Sequence, residues 1–150
     1  MTRNKGFTLV EILMVVIILG ILAAIVIPQF TEASNDARDS SFSSDLQTLR
    51  SQVELYKVQH GDLSPDNGET GDAVSDNFVT RMIGKTDKAG AMDTGTLGPY
   101  LQKFPTNPFP ASNGDKVWVG NAAPGKDVAG WWWDRTKSQM KGIDRGGLWI

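Results

Sequence analysis

Polarity divides the chain from its first residues. Phe7 to Phe30 reads FTLVEILMVVIILGILAAIVIPQF, with Glu11 as its one ionisable side chain and an apolar run from Ile12 to Ile27. As a helix this segment is about 36 Å long, enough to cross a hydrocarbon core of about 30 Å. From Thr31 to about His60 the apolar positions thin to a stripe, Phe42, Leu46, Leu49, Val53 and Tyr56, with Asp45, Arg50, Gln52, Lys57 and Gln59 off it. That spacing predicts an amphipathic helix ending near His60-Gly61, laid against a sheet; the repeat is too short for a coiled-coil seam.

Beyond it, residues 61–114 are rich in Gly, Pro, Ser and Asp and predict loop. One short helix is expected from about Ala73 to Ile83, capped near Asp72 or Ser75, with Val74, Phe78, Met82 and Ile83 facing inward. Lys116 to Val119 and Ala129 to Trp133 are β-prone, and a polar turn after Trp133 leads to a return strand ending near Ile143. Trp131 and Trp133 should share one sheet face, with Trp132 on the other. The predicted fold is α+β: a long N-terminal helix, membrane-spanning in its first half and amphipathic in its second, packed on a small C-terminal antiparallel sheet of three or four strands.

Composition narrows the chemistry. The 150 residues hold 15 basic and 17 acidic side chains, one histidine and no cysteine. The charges are interspersed, so nucleic acid is not an expected partner. Without cysteine there is no disulfide, thiolate nucleophile or thiolate zinc site. His60 reads as a solvent-exposed cap or a packing residue, Glu54 as a solvated or locally paired acid, and neither is assigned chemistry. Four of five tryptophans lie between Trp118 and Trp133, so a core is expected late in the chain.

Arg3 and Lys5 precede the apolar run and the next basic residue is Arg38, which keeps the start in the cytoplasm and exports the remainder. Losing those two with a leader leaves 13 basic side chains against 17 acidic. A secretory signal would have a shorter apolar stretch and a cleavage point beyond it. A plain uncleaved anchor explains the hydrophobicity but not Glu11, because a carboxylate at the centre of a spanning helix costs roughly 2.5–3.5 kcal/mol, less near an end. A cut between Gly6 and Phe7 would create an amino group four residues away, able to neutralise Glu11 in its own chain or in an axially displaced neighbour.

Lys5-Gly6-Phe7-Thr8-Leu9-Val10-Glu11 resembles the cleavage and methylation motif of type IV pilins and type II secretion pseudopilins. The resemblance implies cleavage after Gly6 by a prepilin peptidase, methylation of the Phe7 amine, and pairing of Glu11 with a neighbouring subunit's amino terminus during assembly. It divides the chain into a leader at 1–6, a transmembrane and filament-core helix at 7–30, a stalk helix at 31–60 and a globular head at 61–150. Gly20 and Pro28 bracket a stretch weakened by glycine's helix propensity and proline's missing N–H. In related filaments the matching segment loses helicity on assembly; in an anchor helix Pro28 would only make a kink.

Gly98 to Phe109 resembles the "YL…P…P" segment after the stalk of major pseudopilins, with Asn107-Pro108-Phe109 where Asp-Pro-Trp is frequent. Some of those proteins bind calcium in a carboxy-terminal loop; here Asp115, Asp127, Asp134 and Asp144 are hard oxygen donors in loops, without that loop's motif. The resemblance implies a non-enzymatic subunit most like the major pseudopilin, in a bacterial inner membrane with its head outside the cytoplasm. Its implied partners are further copies of itself, the peptidase, an inner-membrane assembly platform and minor pilins or pseudopilins. A cysteine-free true pilin for adhesion, motility or DNA uptake is the runner-up. A membrane-anchored enzyme or binding domain, such as one stacking sugars or bases on its tryptophans, has no cysteine nucleophile, paired histidines, P-loop or dinucleotide motif behind it.

Overall fold

The computed structural model describes residues 6–93, 95–110 and 112–150. They form two helices, α1 at Leu9–Gln59 and α2 at Asp76–Ile83, and four strands, β1 at Ala73–Val74, β2 at Val117–Gly120, β3 at Trp131–Asp134 and β4 at Gln139–Gly142. Two compact units divide between Arg38 and Asp39. The first contains the early turns of α1, helical through Pro28, with its apolar side chains exposed from Leu9 to Phe30. Among the described residues α1 is the one helix long and apolar enough to cross a membrane, by length and composition.

In the second unit the predicted stripe is the buried face of α1: Phe42, Leu46, Leu49, Val53 and Tyr56 join Val117, Val119, Trp131, Trp133 and Met140 in one core. Trp131 stacks on Phe42 at 5.8 Å between ring centroids. The helix stops where sequence predicts, because Gly61 turns to φ +64° and the Asp62 amide donates back to the Lys57 carbonyl at 2.9 Å.

The sheet runs β1-β2-β3-β4. It differs from the expected antiparallel sheet at its centre: β2 and β3 are parallel, Val117 to Trp131 through Gly120 to Asp134, while the outer pairs are antiparallel. Parallel neighbours need a crossover, usually a helix. Here the loop 121–130 returns over the sheet face opposite α1, held by indole N–H groups. Trp118 donates to Ala122 O at 3.1 Å, Trp132 to Gly120 O at 3.1 Å and Trp149 to Pro124 O at 3.2 Å.

A second difference lies at Ala73–Ile83. Ser75 is extended, accepts the Phe78 amide at 3.0 Å and starts the helix at Asp76, leaving Ala73 and Val74 to pair with β2. Phe78 and Met82 point inward as expected. Val74 and Ile83 do not: they are about 40% exposed, because Val74 stands on a strand edge and α2 buries Arg81 with Phe78 and Met82.

Candidate functional site

Gly6, Phe7 and Glu11 lie within one turn of the start of α1. Thr8 is the residue before the first helical position, and it forms a capping box with Glu11. The Thr8 amide and hydroxyl each donate to Glu11 Oε2 at 2.8 Å, and the Glu11 amide donates to Thr8 Oγ at 3.3 Å. The box ends the helix at Leu9 and leaves Phe7 outside it, exposed. Both bonds to the carboxylate fall on one oxygen; Oε1 has no partner among the described residues. Thr8-x-x-Glu11 was a legible capping signal that the sequence reading did not use.

This local role gives Glu11 a reason to exist even in a simple anchor. It also fixes the carboxylate beside the Gly6-Phe7 bond, where a newly formed amine would lie one residue ahead of an amide already bonded to Glu11. Gly20 and Pro28 are both helical here.

His60 is a packing residue and not an exposed cap. It is buried, 3.7 Å from the Tyr56 ring centroid, with Nδ1 against Tyr56 O at 2.8 Å and Nε2 against Thr86 Oγ at 2.9 Å. The carbonyl can only accept, so Nδ1 carries the proton in the neutral ring and Thr86 donates to Nε2. Glu54 pairs with Lys57 at 3.1 Å.

Of the calcium candidates, Asp127 and Asp144 line one open cavity, whereas Asp115 and Asp134 lie outside it. Asp115 and Asp127 are exposed, and among the described residues no three His, Asp or Glu side chains are placed to hold a metal. Asp134 is buried. Burial pushes its carboxyl up, but hydrogen bonds from Thr136 and Lys141, the Lys137 amide and the Lys141 charge outweigh this and hold it below the usual aspartate range.

Three polar anchors escaped the sequence reading. Asn107 is buried, and its Nδ2 donates to Gly130 O at 2.8 Å and Ile143 O at 2.9 Å while Oδ1 accepts the Phe109 amide at 3.0 Å. Arg81 donates to Pro65 O at 2.9 Å and Gly90 O at 3.2 Å, and Arg135 to Asp66 at 3.3 Å and Gly71 O at 2.8 Å. Their partners are mostly backbone carbonyls of irregular segments, which carry no sequence pattern. These arginines tie down the loop after α1.

Residues 1–27 match the family model described as the prokaryotic N-terminal methylation motif. The chain is similar to the type II secretion system core protein G of Dickeya chrysanthemi, 40% identical over 58 residues, covering 39% of this chain and 38% of the relative. It is 27% identical over 107 residues to the core protein G of Aeromonas hydrophila, covering 71% of this chain and 68% of the relative. Similarity to the type IV major pilin protein PilE of Neisseria gonorrhoeae is 30% over 96 residues, covering 64% and 58%. The first two relatives, from Dickeya chrysanthemi and Pseudomonas aeruginosa, are matched over only about two fifths of their length, 38% and 41%. No solved structure matches the chain.

Proposed function

We propose that this chain is a non-enzymatic structural subunit of a helical pilus-like filament, the type II secretion pseudopilus, drawn from an inner-membrane pool after its leader is cut between Gly6 and Phe7. The observation that carries this reading is the Thr8-Glu11 box: a carboxylate fixed at the mouth of an exposed apolar helix, with one oxygen unengaged among the described residues, beside the bond whose cleavage makes a cation. The N-methylated amine at Phe7 stays charged and satisfies Glu11 of its own chain or of a displaced copy. Contacts repeated head to tail without closure build a fibre. In a water-excluded bundle an unpaired carboxylate is costly, so charge pairing sets the axial register.

Residues 7–30 serve as membrane anchor and later as filament core, 31–60 as stalk and 61–150 as head, with Gly20 to Pro28 the segment that unwinds. An assembly platform and minor subunits are the further partners. Similarity to core protein G and the absence of cysteine favour the pseudopilus. Similarity to PilE supports the second reading, a true type IV pilin.

The test is the intact mass of the full chain expressed with and without a prepilin peptidase. Loss of residues 1–6 and gain of one methyl group, only with the peptidase, is the expected result. A chain left unprocessed would make the protein a plain anchor and reduce Glu11 to a helix cap.

A further inference from the structure

Some of the major pseudopilins that this chain resembles bind calcium in a carboxy-terminal loop, and the donors described in this chain do not fit such a site. Calcium takes six to eight oxygens, several from carboxylates. Here Asp134 and Asp144 already bond within the chain, and Asp115 and Asp127 are exposed. Asp134 Oδ1 accepts from the Thr136 amide at 3.1 Å, the Thr136 hydroxyl at 2.6 Å and the Lys137 amide at 3.3 Å, while Oδ2 pairs with Lys141 Nζ at 3.1 Å. Asp144 closes its own turn, accepting the Leu148 amide at 2.8 Å.

The same region contains a cation of its own. The Lys141 ammonium lies 4.5 Å from the Trp132 ring centroid, and its side chain is only 14% exposed beside an Asp134 that is 2% exposed. Trp132 meets Trp149 edge-on at 6.0 Å, and Trp149 holds Pro124 of the crossover loop. One ammonium thereby links the β3-β4 hairpin, the crossover loop and the segment after Ile143. Arg145, at the surface, pairs with Asp39 at 2.7 Å.

We propose that this head takes no calcium in its carboxy-terminal loops and that the Lys141 ammonium, paired with Asp134 and stacked on Trp132, orders that region instead, so that the head folds and persists without calcium. A positive charge tethered within the sheet has no dissociation equilibrium. It serves equally where calcium is scarce.

Thermal unfolding of the full chain in detergent, in millimolar calcium and in excess chelator, tests this whether or not the chain assembles. The expected result is one midpoint in both, with Lys141→Met lowering it by several degrees because a buried carboxylate loses its partner. The double variant Asp134→Asn with Lys141→Met should lose less than the two single changes added together. A saturable rise of the wild-type midpoint with calcium, or an unchanged midpoint in Lys141→Met, would overturn the proposal. If Lys141→Met does not fold, the wild-type calcium titration still decides.

Discussion

Tyr56 shows how a single position can be stable at neutral pH and weak in alkali. Its ring is fully buried at the end of the α1 stripe, and its hydroxyl has no hydrogen-bond partner among the described residues. Burial pushes the phenol up to about 12, with the Arg81 guanidinium opposing and Tyr100, Asp87 and Asp66 adding to the rise. A folded value above the unfolded one means that stability is fully present below the ordinary tyrosine value of about 10 and is lost as pH climbs from there through about 12. Denaturant titrations at pH 8 and pH 11 should therefore show a loss in the native chain that is reduced in Tyr56→Phe. At pH 8 the variant should match or exceed the native stability, since no hydrogen bond is removed. The stripe position of Tyr56 was legible in sequence; its orphan hydroxyl was not, because it depends on what loop 84–98 brings opposite it.

At the scale of elements, legibility followed local pattern. The α1 stripe, its stop at Gly61, the Trp131/Trp133 face and the β3-β4 hairpin were all readable, each being set by residues close in sequence. The parallel pairing of β2 with β3 was not, because it depends on the indoles of Trp118 and Trp149 reaching carbonyls of a loop that has no periodicity. Val74 was misassigned for a related reason: a two-residue strand is defined by its partner. The same close packing gives Gly142 on β4 its role. A Cβ there would lie 2.4 Å from Phe42 Cε2 and 2.9 Å from Trp131 Cζ3. Neither ring can retreat from the stack they share, so Gly142→Ala should destabilise the head by about 1–3 kcal/mol through overpacking. Urea unfolding followed by tryptophan fluorescence reads this directly, and an unchanged midpoint would mean that β4 shifts more easily than its packing implies.

For the whole molecule, the open question at the amino terminus is whether Glu11 acts by charge or as a cap, and two substitutions separate these roles. Glutamine also serves in a capping box, so Glu11→Gln keeps the helix start and removes the charge, whereas Glu11→Ala removes both. Under the filament reading both variants should lose most sheared, sedimentable polymer in a reconstituted assembly system. Polymer formed normally by Glu11→Gln would leave the cap as the sufficient role. The motif behind this question was legible in sequence because it is contiguous; Asn107, Arg81 and Arg135 were not, because they act across the fold on backbone carbonyls. Distance along the chain has one more effect, seen in the hydrogen bond from Arg50 Nε to Met140 O, 90 residues away at 3.0 Å. If the chain is exported as proposed, its start held in the cytoplasm and the rest following in order of synthesis, the α1 stripe emerges long before the strands that cover it. Under that topology Phe42 to Tyr56 stay uncovered until β3 and β4 emerge, so the interval between emergence and closure, set by the speed of translocation, is when the chain would be most open to proteases and in most need of a chaperone.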